Sequence, residues 1–89
     1  MPELFRRYGF VFLFFVHEHE PIHVHVKGNG GDAKFNWNGS AFSLEYSRGI
    51  KENDLIRIAK AIDENSDIIV KRWKELFGDN YGQDSENMV

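Results

Sequence analysis

The chain has 89 residues, no cysteine and a formal net charge of −3, and its length is typical of a single small domain. The absence of cysteine excludes a disulfide framework and a zinc site built on thiolates. Acidic and basic residues balance over residues 1–50, and acidic residues are in excess only after that point. Neither half therefore carries the broad basic surface of a general nucleic-acid-binding protein, although a local contact to RNA stays open.

An apolar run at residues 9–16 follows Arg6 and Arg7. It resembles the opening of a secretory signal, but charged residues follow it and a small-residue cleavage site is missing. The run is also far shorter than the ~20 residues that span a bilayer as a helix. We therefore expect a cytoplasmic protein without a membrane partner.

Four segments have the composition or the alternation of β-strands. The first is rich in aromatic and β-branched residues, and the other three alternate apolar and polar side chains. These predicted strands are Tyr8–Val16, Ile22–Lys27, Asp32–Trp37 and Ala41–Tyr46.

The turns between the last three segments indicate how they pair. The glycine-rich loop 28–31 would place Val26 opposite Ala33, and a two-residue turn at Asn38-Gly39 would place Phe35 opposite Phe42. Both registers bring apolar residues together, a match that a slip of one residue would destroy. We therefore predict a three-stranded antiparallel unit.

After Gly49 the apolar period becomes helical, and it predicts helices over residues 52–64 and 66–77. Asn65 or Ser66 is expected to cap the second helix, and Gly78 to end it. The predicted fold is α+β: an antiparallel sheet of about four strands (β-β-β-β-α-α) with both C-terminal helices packed on one face. Residues 1–78 would form the single domain, and residues 79–89 a polar tail.

All four histidines lie between His17 and His25. Strand alternation places His23 and His25 on the side of the sheet away from the helices, with Lys34 opposite His25. We expect this side to be open to solvent. His23 and His25 could then act as base and acid on RNA, with Lys34 holding the phosphate, because histidine titrates in the range that both roles need.

The same histidines allow two other interpretations. His19, His23 and His25 could hold a divalent metal such as zinc, with an open position for metal-assisted hydrolysis. Alternatively, they could be contact surface without chemistry, and no cofactor would then be needed. The residues alone leave open whether the protein is an enzyme.

The first predicted strand is apolar on both sides. Phe10, Phe12 and Phe14 share one side, so we expect one row of the strand to leave the core and to be covered by another chain. This predicts a homodimer or a protein partner that binds at Phe10, Phe12 and Phe14. His19 and Glu45 are assigned to the same interface.

The run EHEPIHVHV at residues 18–26, together with Ala33-Lys34-Phe35 and the ending Trp73 to Phe77, resembles small bacterial proteins of the domain-of-unknown-function family 4160. The resemblance covers roughly residues 2–78 and implies a short α+β domain. Members are often encoded beside another small protein in suspected toxin–antitoxin pairs, which implies a co-encoded protein partner and, for a toxin, action on RNA. The matching positions are His19, Pro21, His23, His25 and Lys34.

Overall fold

The computed structural model describes residues 3–15 and 21–78, so His19 and the predicted tail 79–89 lie outside the described residues. The described residues form one antiparallel sheet of five strands in the order β1-β2-β3-β4-β5, followed by two helices. The α+β class is thereby confirmed, with five strands where about four were predicted. The elements are β1 (Glu3–Arg7), β2 (Phe10–Leu13), β3 (His23–Gly28), β4 (Gly31–Trp37), β5 (Phe42–Arg48), α1 (Glu52–Glu64) and α2 (Ser66–Phe77).

The additional strand, β1, forms a tight hairpin with β2. Arg7 pairs with Phe10, and Tyr8 and Gly9 make the turn with φ of 57° and 82°. Positive φ at both central residues is the mark of a type I′ turn. Sequence patterns missed this turn because tyrosine is not a turn signal, so the predicted strand started one hairpin too early.

The register of β3 and β4 is as predicted, with Val26 opposite Ala33. The turn is tighter than the predicted loop, because Gly28 pairs with Gly31 and only Asn29-Gly30 lie between them. Their φ values of 51° and 80° again indicate a type I′ turn.

The register of β4 and β5 differs from the prediction by two residues. Phe35 pairs with Leu44, not Phe42, and the loop contains four residues. The side chain of Asn38 explains the longer loop, because its Oδ1 accepts hydrogen bonds from the backbone N–H groups of Ser40 (2.8 Å) and Ala41 (2.9 Å). Asparagine commonly builds turns in this way.

A bulge interrupts the same pair of strands further along. The partners shift from Phe35–Leu44 to Lys34–Tyr46, so Glu45 has no partner in the ladder. Since one extra residue reverses the alternation, Tyr46 lies on the same side as Lys34 and not on the side of Leu44.

The core lies between the sheet and the two helices. Phe10, Phe12 and Phe14 are at most 1% exposed, so the prediction that they form an exposed interface is wrong. The opposite row does not leave the core either: Leu13 is buried, and Phe15 is half-buried. The physical reason is that β2 is an inner strand, flanked by β1 and β3. The remaining core members are Ile22, Val24, Val26, Ala33, Phe35, Ile58, Ala61, Ile62, Ile69 and Trp73.

Both helices have the predicted bounds, and Gly78 ends α2 with φ of 86°. The predicted side-chain cap of α2 is wrong. Nδ2 of Asn65 instead donates to the carbonyl of Ala61 (2.8 Å) and so closes the end of α1. Neither helix of the described ranges is long and apolar enough to cross a membrane.

The turn residue Tyr8 generates a stability prediction. A bulky side chain in the left-handed region costs about 1 kcal/mol, and the adjacent hairpin shows that asparagine fits the same conformation. Tyr8→Asn also removes the stack of Arg57 on the ring (5.8 Å), which contributes about 0.5 kcal/mol at an exposed site. We expect a net gain of about 0.5 kcal/mol in the free energy of unfolding, measured by urea denaturation.

The reverse exchange is the control. Asn29→Tyr places a bulky residue at the equivalent position, where φ is 51°, and should lower the free energy of unfolding by about 1 kcal/mol. A stability loss in Tyr8→Asn would contradict the strain.

Candidate functional site

The side of the sheet opposite Phe12 and Val26 is called the far face here. The register brings the sequence-predicted residues together on it. Two rows of neighbouring side chains cross the strands there: Leu13, His25, Lys34 and Tyr46 in one, and His23, Asn36 and Ser43 in the next.

The predicted exposure of this cluster is wrong. His23 is 0%, His25 6% and Lys34 7% exposed. All three belong to the interior of the fold, which is unusual for a lysine that stands on a sheet face.

The two histidines are packed among aromatic rings. His25 stacks on Phe15 with ring centroids 3.9 Å apart, and the edge of His23 meets His25 at 5.0 Å. His23 in turn lies 5.1 Å from Trp73 of α2, and Trp73 meets the edge of Phe14 at 5.1 Å. This aromatic chain runs from the far face, around the strand ends, to the helices.

The geometry of His23 defines its tautomer. Its Nδ1 lies 2.8 Å from the carbonyl of Pro21, and because a carbonyl only accepts, Nδ1 carries the proton. The basic nitrogen of the neutral ring is then Nε2. The Nε2 atoms of both His23 and His25 are fully enclosed, so neither can meet a ribose hydroxyl in this conformation.

Glu45 occupies the bulge of β5 and joins two strands of the far face. Its Oε1 accepts a hydrogen bond from Nδ2 of Asn36 (2.6 Å) and lies 3.4 Å from Nζ of Lys34. The Asn36 bond, and secondarily Lys34, hold the pKa of the Glu45 carboxyl below its ordinary value. The half-exposed carboxylate is therefore the accessible end of a polar network that leads to Lys34.

A second ion pair lies on the same face. Arg48 binds Asp32 across β4 and β5 at 2.7 Å, and its guanidinium lies 4.8 Å from the ring centroid of Tyr46. The hydrogen bond from Arg48 lowers the pKa of Asp32. Sequence reasoning did not identify Tyr46 as part of this face, because the bulge that places it there leaves no pattern in the sequence.

The metal hypothesis gains no support from the described residues. No three histidine or acidic side chains among residues 3–15 and 21–78 converge as ligands. His19, the third predicted ligand, lies outside the described residues, so the assignment of His19, His23 and His25 to a metal stays a prediction.

A groove that sequence reasoning missed lies between α2 and the end of β4. Its volume is about 520 Å³. Lysines and acidic residues contribute equally to its lining, so it has no clear preference for a charged ligand. The lining residues are Trp37, Asp67, Val70, Lys71, Lys74 and Glu75.

The lowered pKa values of Glu45 and Asp32 predict a pH dependence. A carboxyl whose pKa is lower in the folded than in the unfolded chain stabilises the fold above its unfolded pKa, and this contribution is lost as pH falls through the folded pKa. We expect the free energy of unfolding to fall as the pH drops below about 4.5, the ordinary value for glutamate. Glu45→Gln and Asp32→Asn should each flatten this profile, as measured by urea denaturation at several pH values.

The burial of His25 predicts a structural cost for its removal. His25→Ala loses the stack on Phe15 and leaves a gap beside His23, so we expect a loss of about 1–2 kcal/mol in the free energy of unfolding. Ser43→Ala, an exposed substitution on the same face, should stay within about 0.5 kcal/mol. Equal effects would contradict the packing described above.

Comparison with protein families matches residues 9–74 to the model described as Domain of unknown function (DUF4160). Comparison with curated proteins and with solved structures gives no match. The matched range runs from the turn before β2 into α2 and so includes the whole aromatic chain and the polar network of the far face. The chain therefore belongs to the DUF4160 family.

Proposed function

We propose that this protein is a protein-binding module, one member of a toxin–antitoxin-type pair, and that it contacts a co-encoded partner through the far face. The observation that carries the proposal is the pairing of aromatic rings with cations there. Nζ of Lys27 lies 5.1 Å from the ring centroid of Phe15, and Arg48 covers Tyr46 at 4.8 Å. Aromatic residues and arginine are enriched at protein interfaces.

The edges of the sheet are less suitable for a partner. The pairing of β1 is irregular between Glu3 and Phe5, and that of β5 is interrupted at Glu45. Bulges and charged residues at edge strands prevent the addition of another strand. The opposite side of the sheet is occupied by the helices, which leaves the far face for a partner.

The far face also provides charges that could select a partner. Glu45 and Arg48 are exposed at one side of it, each held by a neighbour within the sheet. Ordered charges at the border of an interface steer association and reject partners of the wrong charge pattern. Glu45 thus stays in the proposed interface, whereas Phe10, Phe12 and Phe14 leave it, and the argument for a homodimer is lost with them.

Catalysis on RNA by His23, His25 and Lys34 is a weaker proposal. A general base must come within hydrogen-bond reach of the proton that it removes, and burial of these three side chains works against that contact. Packing in the aromatic chain accounts for both histidines without any reaction. The cytoplasmic location remains an expectation from the sequence.

The test is binding to the protein encoded by the adjacent gene, measured by isothermal titration calorimetry. Tyr46→Ala and Arg48→Ala should each weaken binding by about 2 kcal/mol, or roughly 30-fold, the effect expected at the centre of an interface. The two side chains are partly or fully exposed, so the fold should persist, which circular dichroism would check.

The matched control is Leu76→Ala on α2, a similarly exposed side chain (45%) on the other side of the molecule. It should leave the affinity unchanged. Absence of binding, or an equal loss in the Leu76 variant, would contradict the proposed interface.

A further inference from the structure

We propose that the turn of β1 and β2 is a binding site for single-stranded nucleic acid, with Tyr8 as the residue on which a base stacks. Arg7 and Arg57 would contact the flanking phosphates. The site is separate from the far face and does not depend on the proposed protein partner.

The conformation of Tyr8 is the first observation. The described residues contain two adjacent type I′ turns with nearly equal backbone angles, Tyr8-Gly9 (φ 57° and 82°) and Asn29-Gly30 (φ 51° and 80°). Asparagine is the usual residue at the first position, and tyrosine is an outlier there. Backbone strain of this kind persists where the side chain serves a function.

Packing does not repay the strain. The Tyr8 side chain is 55% exposed, and its recorded ring contact is with Arg57, whose guanidinium lies 5.8 Å from the ring centroid. An exposed aromatic ring on a short turn, with a cation beside it, presents a stacking surface together with a positive charge. Base stacking on tyrosine and phosphate contact through arginine need this combination.

The surroundings of Tyr8 allow a polynucleotide to approach closely. A Cβ atom at Gly9 would lie 3.6 Å from Nδ2 of Asn29, and one at Gly49 would lie 3.2 Å from the carbonyl oxygen of Gly30, so these turns meet at one end of the sheet. The end consists mainly of glycines, without the ring of larger side chains that surrounds the central residues of a protein interface. This favours a nucleic acid over a protein as the ligand.

The charges of this end set the expected strength. Arg7 is exposed, and Arg57 is 59% exposed with Asp54 at 3.7 Å. A site with so few cations on a chain of net charge −3 should bind weakly and lose affinity as salt is added.

The experiment is fluorescence anisotropy with a fluorescein-labelled oligouridylate at low salt, using the full chain. Tyr8→Asn should weaken binding at least about fivefold, because base stacking contributes about that much or more. Tyr8→Phe, which keeps the ring, should bind like the native chain. Arg57→Gln should weaken binding and reduce its salt dependence.

Two features make the comparison decisive. Tyr8→Asn is expected to fold at least as stably as the native chain, so a loss of affinity would not reflect unfolding. Tyr46→Asn removes the other ring that is paired with an arginine, Arg48, and should leave affinity unchanged.

Three results would overturn the proposal. The first is no binding at the highest soluble protein concentration. The second is affinity that is the same in Tyr8→Asn, which would indicate a general attraction to polyanions. The third is a loss in Tyr46→Asn alone, which would place the nucleic acid on the far face. If Tyr8→Asn weakened binding to the co-encoded protein but not to the oligonucleotide, the turn would belong to the protein interface and this proposal would also fail.

Discussion

The aromatic chain from Phe15 through His25 and His23 to Trp73 is the contact on which the rest of the structure depends. A sheet with helices on one side usually has separate faces, one dry and one wet. Here the rings connect the two sides around the strand ends, so α2 is tied to the far face as well as to the core. Histidine suits this position because one ring nitrogen satisfies a backbone carbonyl while the ring packs like an aromatic residue.

The bulge at Glu45 has effects beyond its own strand. By reversing the alternation, it moves Tyr46 and Arg48 onto the far face and leaves Glu45 in reach of Asn36 and Lys34. Without it, the far side of β5 would carry serine and glutamate only. A single inserted residue thus creates both the charge network and the aromatic surface on which the proposed protein interface rests, and it protects the sheet edge at the same time.

The histidine motif and the turn at Tyr8 illustrate opposite relations between sequence pattern and function. Histidines in a cluster suggest chemistry, yet burial gives His23 and His25 a structural role. Tyr8 carries no motif, but its backbone conformation costs stability that its exposed ring does not return. Strain at an exposed residue is therefore the stronger indication of a site in this protein.

The sequence by itself determined the fold class, both helices and the pairing of β3 with β4, because these follow from local periodicity and from a turn with a strong residue preference. It also placed His25 opposite Lys34. Only the tertiary structure decided the rest. The turn at Tyr8, the four-residue loop built by Asn38 and the bulge at Glu45 depend on contacts with neighbouring strands. Burial of the histidines depends on Trp73, which is distant in sequence and comes close only when α2 packs on the sheet.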